Sequence, residues 1–323
     1  MSNSPFLSNC TADTIREAAA ALKAGHLVAF PTETVYGLGA DARNPAAVKR
    51  IYEVKGRPSD HPLIVHISSI NQLEKWASEI PNYAISLARA FWPGPMTLIL
   101  KRTDLAGNFV TGGQDTVGLR VPSDSIALAL ITEFENISDS AIAAPSANRF
   151  GQVSPTSSTD VQEELGNYMS ESDYILEGGK SDIGIESTII DCTDVLPNVL
   201  RLGSITRLQI SEVIGVPITL PAKSSLNFSG MFQKHYAPSA EVLLDVKPII
   251  GDGMFALRSV STPKGVRRIG SPNNIGDYAR ELYSGLRQAD QLGLRRIVFI
   301  QPQGDGLAEG IRDRLSRASN TIS

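Results

Sequence analysis

The sequence has little cysteine, only four histidines and no charge excess large enough to name a partner. Cys10 and Cys192 are the only cysteines, far apart and without a CxxC pair. That excludes a disulfide framework and a cysteine-built zinc site, and it suits a reducing compartment. No apolar run approaches the length of a membrane span, and the N-terminus lacks the basic-then-apolar order of a signal peptide. A net charge of −4 argues against a bulk nucleic-acid binder, while leaving room for a local basic patch. Internal repeats and low-complexity tracts are missing too. What is present is a chain of 323 residues, 42% hydrophobic and 20% charged with mixed signs. That supports a real core in one large domain or two ordinary ones, and predicts a soluble, cytoplasmic protein that crosses no membrane.

Periodicity predicts a helix over 11–23, with Thr14 and Glu17 at capping-box spacing, an apolar stripe through Ile15, Ala18, Ala19 and Leu22, and Gly25 beyond its end. Strand-like runs fall at 27–30, 63–67, 97–101, 117–121, 141–144 and 188–191. Helical stretches lie between them at 45–55, 83–91 and 160–165, the first with Asn44 as cap and Pro45 at its opening position. This is an α/β domain spanning 1–216. Residues 217–239, rich in proline and serine without sustained periodicity, read as a linker. Beyond it, "EVLLDV", "GMFALRSV" and "RRIVFI" read as strands and 275–292 and 307–318 as helices, a smaller α/β domain over 240–323.

Three glycine-rich stretches imitate nucleotide loops. "GLGADA" at 37–42 fits a loose dinucleotide pattern, but Asn44 and Pro45 intervene before the next helix. "GGKS" at 178–181 has Tyr174 where a phosphate loop needs its first glycine. "GDGLAEG" opens a helix after a strand, and a helix cap explains it more simply.

Other residues point to a site. In the helix over 45–55, Val48, Ile51 and Tyr52 form the buried stripe and Lys55 falls at its next position, whereas Lys49, Arg50 and Glu53 read as a solvated face. Arg57 follows two residues later, with Gly56 leaving room for a bulky anion at the backbone. An amphipathic lysine at a helix end accounts for Lys55 about as well. In 63–67 the apolar Leu63, Val65 and Ile67 share one face and leave His66 with Ile64 on the other; in 117–121 Arg120 stands opposite the apolar face. Polar groups on such strands need partners, internal or from a ligand. Ser146 and Asn148 come directly after the strand at 141–144, where ligands of α/β sheets gather, although ordinary turn chemistry also places Ser and Asn there. The residues themselves describe a cationic pocket with hydroxyl and amide groups, suited to a phosphorylated compound.

Taken in order, "FPTETVYGLG", "KGRP", "HPLIVHI", "WPGPMTLIL", "VGLRVP", "APSAN…GQVSPT", "ESTIID" and "VLRLG" resemble the YrdC-like threonylcarbamoyl-adenylate synthases. "SGMFQKHYAP" and the small C-terminal domain are similar to that family's long, two-domain form. The resemblance implies a twisted α/β catalytic domain with a concave basic cavity, joined to a smaller Rossmann-like α/β domain. It implies a nucleotidyltransferase that converts L-threonine, bicarbonate (or CO₂) and ATP, with Mg²⁺, into threonylcarbamoyl-AMP and pyrophosphate. A downstream tRNA threonylcarbamoyl transferase then modifies adenosine 37 of tRNA, and direct tRNA or RNA contact belongs to the same expectation.

By the same resemblance, Lys55 and Arg57 stabilise the reacting groups. Thr32, Thr34, His66, Arg120, Ala144 and Ser187 hold threonine, Arg120 by bidentate contact with its carboxylate. Lys55, Arg57, His61, Thr116, Ser146, Asn148, Ser154, Arg201, His235 and Tyr236 meet ATP, the last two from a linker that covers the site. No metal ligand is implied. His61 stands where the family often has asparagine, and Ser229 where it usually has proline. Two other readings compete: a double-stranded RNA-binding module without catalysis, and carbamoyl transfer for metallocentre assembly, which usually travels with cysteine-rich zinc motifs that this chain lacks.

Overall fold

A computed structural model describes residues 6–218 and 237–319. Its first unit is built on an eleven-stranded mixed sheet. In spatial order the path runs through Phe6–Asn9, Tyr174–Glu177, Val28–Phe30, Gly37–Asp41, Ile142–Ala143, Ile64–His66, Thr116–Arg120, Met96–Arg102, Thr188–Asp191 and Asn198–Arg201; Ala77–Ser78 pairs with Met96–Arg102 off this path. All six strands expected in this region are there, with ends shifted by a residue or so. The second unit has four parallel strands in the order Glu241–Leu244, Arg296–Phe299, Gly253–Phe255, Arg267–Gly270. The helices Ile275–Gln291 and Leu307–Ser319 accompany it. Its core centres on Phe255, which stacks on Phe299 at 5.1 Å and meets Tyr278 edge-on at 4.8 Å.

Several local expectations need correction. The first helix, Ala12–Lys23, is capped by Thr11, whose side chain accepts from Thr14 N; the Thr14 and Glu17 box does not form. Arg50 is not merely solvated, because its guanidinium grips the fully buried Asp173 carboxylate at 2.7 and 2.9 Å. Gly37–Asp41 is a strand. Two of its five residues are glycine, so the side-chain alternation that signals a strand is muted there. The long helix Ser125–Ser138, opened by Asp124, also escaped the sequence reading. By contrast, Pro45–Lys55 has the expected Asn44 cap and ends in Gly56 at φ +60°. The "GDGLAEG" stretch is indeed a helix start, where Glu309 accepts from Gly306 N.

Apolar packing joins the two units. Val35, Val153 and Ile185 belong to the same buried cluster as Tyr283, Phe255 and Leu315. Gly184 lies so close to helix Ile275–Gln291 that a Cβ there would sit 2.5 Å from Arg280 Cα, and its φ of +80° also demands glycine. Most of the linker expected at 217–239, including His235 and Tyr236, lies outside the described residues. Where the chain resumes, Ala237 N donates to Gly151 O at 3.2 Å.

Candidate active site

The segment "PTETVY" leaves Val28–Phe30 and folds into a turn held by its own threonines and by neighbouring loops. Thr32 Oγ1 accepts from Thr34 N and Val35 N and donates to Val35 O at 2.6 Å. Tyr36 N donates to Pro155 O, Leu38 N to Pro145 O and Ala147 N to Tyr36 O. The turn and the loop after Ile142–Ala143 are thereby laced into one wall.

On the facing side, Ile64–His66 and Thr116–Arg120 run parallel with His66 opposite Arg120 in register. The alternation inferred from sequence therefore delivers both polar side chains to the same cavity. That cavity is lined by Thr32, Thr34, His66, Arg120, Ala144, Ser146, Ser187 and Arg201 from the sequence expectation, together with Val35, Tyr36, Gly37, Ile64, Pro145 and Glu186. Lys55, Arg57, His61, Thr116, Asn148 and Ser154 do not line it.

Proton bookkeeping shows what the walls offer. Arg120 Nη1 donates to Thr34 Oγ1 at 2.9 Å, and the Thr32 and Thr34 hydroxyls lie 2.8 Å apart. Thr32 spends its only proton on Val35 O, so Thr34 must donate to Thr32 and keeps only acceptor capacity for a ligand. Ser146 donates to Asn148 Oδ1 at 2.5 Å, since both amide hydrogens of Asn148 go to Arg149 O and Gln152 O. Ser146 too is left as an acceptor. Thr97 Oγ1 lies 2.8 Å from Ser187 Oγ, which also receives Arg201 Nη2 at 3.1 Å, while Arg201 Nε donates to Ser187 O at 3.0 Å. The cavity thus holds two buried arginines and two hydroxyl oxygens, of Thr34 and Ser146, that can only accept, a match for a ligand with a carboxylate and its own donors.

His66 is neutral at ordinary pH: burial, reinforced by the Arg120 charge, takes its pKa down to about 3. Its ring meets Phe30 edge-on at 6.0 Å, and its Nδ1 is buried without a hydrogen-bond partner among the described residues.

A second cationic group sits beside this cavity. Lys55 is 2% exposed, and its ammonium donates to Ser146 O at 2.5 Å and to Asn148 O. Burial, with Arg57 and Arg149 nearby, holds its pKa well below the usual lysine range. Lys55 therefore shapes the Ser146–Asn148 loop from behind. Arg57 Nη2 donates to Pro62 O at 3.1 Å, and His61 packs on Phe150 with ring centroids 5.3 Å apart, its pKa lowered by burial and by Arg57. At Gly56, expected to leave room for an anion at the backbone, a guanidinium lies over the open side. The Arg149 guanidinium would come within 2.7 Å of a Cβ there, while Arg149 Nη1 donates to Val54 O at 2.6 Å.

A family model described as Telomere recombination, the Sua5/YciO/YrdC family, matches residues 20–203. One described as the threonylcarbamoyl-AMP synthase C-terminal domain matches residues 205–320. The chain belongs to the threonylcarbamoyl-AMP synthase family. Among relatives of that name, one from Pyrococcus abyssi (strain GE5 / Orsay) is 42% identical over 325 residues, covering 94% of each chain. One from Bacillus subtilis (strain 168) is 48% identical over 327 residues, covering 94% of this chain and 92% of the relative. The crystal structure of P. abyssi Sua5 complexed with L-threonine matches with a TM-score of 0.87 at 39% identity, covering 98% of this chain and 97% of that one.

Within this synthase family member, three polar residues at the cavity or at the cationic group beside it were not singled out from sequence. Glu33 lies behind Arg120, with Oε1 2.7 Å from Arg120 Nη2. The contact is an ion pair only, because neither Glu33 oxygen accepts an aligned hydrogen bond among the described residues. Its signal was in plain view, a carboxylate between the two threonines of "TET". Arg149 was equally visible, beside Asn148. Glu186, next to Ser187, borders the cavity, but two of its partners, Tyr283 and Arg314, come from the second unit, 97 and 128 positions along the chain, and no local pattern announces them.

Proposed function

We propose that this chain makes threonylcarbamoyl-AMP from L-threonine, bicarbonate and ATP, releasing pyrophosphate, for the threonylcarbamoylation of tRNA at adenosine 37. The observation that carries the reading is the meeting of Arg120, neutral His66, Thr34, Ser146, Ser187 and Arg201 around one cavity in a chain of this family.

Threonine's neutral amine adds to bicarbonate-derived CO₂, giving a carbamate and losing one proton. A carbamate oxygen then attacks the α-phosphorus of ATP, and the bond to pyrophosphate breaks. No enzyme nucleophile is needed. The carbamate loses CO₂ readily, so the site must hold its reactants in line and keep water out. In this reading Arg120 takes the carboxylate of threonine, Thr34 accepts from its hydroxyl or amine, and the Ser187 hydroxyl meets the same groups. Neutral His66 offers a hydrogen bond without adding positive charge beside the amine. Thr32 keeps Thr34 oriented, and Ala144 bounds the side-chain end.

We assign ATP to the adjoining region. Ser146 and Arg201 face it from the cavity, Arg57 and His61 from the neighbouring cationic group, and Thr116, Asn148 and Ser154 complete that side, with Lys55 fixing the loop that carries Ser146. His235 and Tyr236, also expected at ATP, lie outside the described residues. Cations around developing phosphate charge lower the barrier to this kind of transfer. Among the described residues, no cluster of three or more His, Cys, Asp or Glu side chains could hold a metal. We assign Mg²⁺ to the phosphates of ATP, as that ion commonly binds, and give no step to it.

Among the described residues no helix is long and apolar enough to cross a membrane. We place the protein in the cytoplasm with its tRNA-modifying partner. The double-stranded RNA-binding alternative is not favoured, because the relatives across nearly the full length are synthases. Pyrophosphate release should require both threonine and bicarbonate; release indifferent to both would refute the function.

A further inference from the structure

Glu186 borders the cavity yet offers it nothing, since its oxygens are spent elsewhere. Ser154 donates to Oε1 at 2.6 Å. Tyr283 donates to the carboxylate at 2.9 and 3.1 Å, and Arg314 Nε to Oε2 at 2.7 Å. Tyr283 and Arg314 come from the two helices of the C-terminal unit, and both are fully or almost fully buried. Arg201 also acts electrostatically on this carboxylate, second only to Arg314 among the cations. The same Arg201 holds Ser187 by both its backbone carbonyl and its hydroxyl. One buried anion is therefore bound by the buried Arg314 of the second unit and lies in the field of the buried Arg201 of the first.

We propose that the C-terminal domain completes the threonine side of the pocket through Glu186, a positioning residue that Arg314 and Tyr283 hold in place so that Arg201 keeps its hold on Ser187. The idea rests on the reading of the cavity as the threonine site. Its physical content is competition for charge. With Arg314 present, Glu186 is neutralised from behind and Arg201 engages Ser187. Without Arg314, Arg201 is the principal remaining cation for a buried carboxylate, and an uncompensated buried charge recruits whatever partner it can. Arg201 then turns toward Glu186, and Ser187 loses the contact that aims its hydroxyl into the cavity. The close packing of Gly184 on the Arg280 backbone, and of Ile185 within the C-terminal core, fixes the strand entry that carries both Glu186 and Ser187.

The test uses the full chain and follows threonine-dependent pyrophosphate release with bicarbonate, ATP and Mg²⁺ at temperatures well below unfolding. Arg314→Met should raise the KM for threonine by about 10- to 100-fold, by analogy with the loss when a group that orients a metal ligand is removed. At saturating threonine kcat should stay near the wild-type value. Tyr283→Phe should move KM the same way by less, and Arg314→Lys should recover part of the loss. The decisive variant is the double Glu186→Gln/Arg314→Met, which removes the stranded charge and should bring KM most of the way back. A purely structural role would lower the unfolding temperature in all these variants and leave KM alone. An unchanged KM in Arg314→Met, or a double variant no better than the single one, overturns the proposal. Should wild-type protein release no threonine-dependent pyrophosphate, the functional reading falls as well, which a normal wild type beside an unaffected Arg314→Met would not imply.

Discussion

Replacing Arg120 with methionine separates what this residue does for the fold from what it does for the substrate. Its side chain is 5% exposed and that of Glu33 7%, so the substitution strands a carboxylate where water does not reach. Breaking such a buried pair from one side costs about 3–5 kcal/mol. At about 2–4 °C per kcal/mol for a protein of this size, the thermal midpoint should fall by about 10 °C. The same change removes the guanidinium expected to meet threonine's carboxylate, a charge-assisted contact worth about 1.5–3 kcal/mol. That is a loss of affinity of about 10- to 150-fold. The double variant Glu33→Gln/Arg120→Met distinguishes the two effects, because it no longer buries a lone charge. Its midpoint should return most of the way to wild type, while its threonine affinity stays as poor as that of the single variant. Thermal denaturation followed by circular dichroism reads the first quantity and titration calorimetry with threonine the second. Recovery of affinity along with stability would mean that Arg120 serves the fold alone, and the carboxylate assignment would be wrong.

Three further outcomes follow from the geometry. Threonine should be preferred to serine by only about 1–3 kcal/mol, the worth of a methyl group, but far more strongly to valine, whose missing hydroxyl leaves Thr34 or Ser187 unmatched; equal turnover of valine would contradict a hydroxyl-reading pocket. Acid should weaken the junction of the two units. Arg314 and Arg201, working against burial, bring the Glu186 pKa down to about 2, so its stabilisation is complete above its unfolded value and is lost as pH falls toward 2. The amount is on the order of 3 kcal/mol, and thermal midpoints of wild type and Glu186→Gln should converge over that interval. Finally, Gly184→Ala should push helix Ile275–Gln291 away, at a cost of about 1–3 kcal/mol. Amide exchange should then speed up in that helix and not in Pro45–Lys55; uniform protection in both would show that the contact yields without strain.

The sequence was most informative where one side chain broke a regular pattern. His66 and Arg120 stood out because each interrupts an apolar strand, and alternation sends both to the cavity. Lys55 stood out for the same reason on a helical stripe, but periodicity reports burial and not purpose: the ammonium serves two carbonyls of the Ser146–Asn148 loop. Motif order pointed to Thr34, Ser187 and Arg201 where no periodicity could. What stayed hidden was of two kinds. Gly37–Asp41 has too few side chains to alternate, and Asp124 before Ser125–Ser138 was a cap without a conspicuous partner signal. Glu186 depends on Arg314, 128 positions along the chain, and only folding brings them together.

The shared apolar cluster of Val35, Val153 and Ile185 with the C-terminal helices has a consequence for heredity. The two family models meet near residue 204, yet the buried contacts ignore that seam. A C-terminal half grafted from a relative must bring an arginine for Glu186, a tyrosine beside it and a backbone that clears Gly184. In a chain of this two-domain form, the substitutions along the seam must therefore change together.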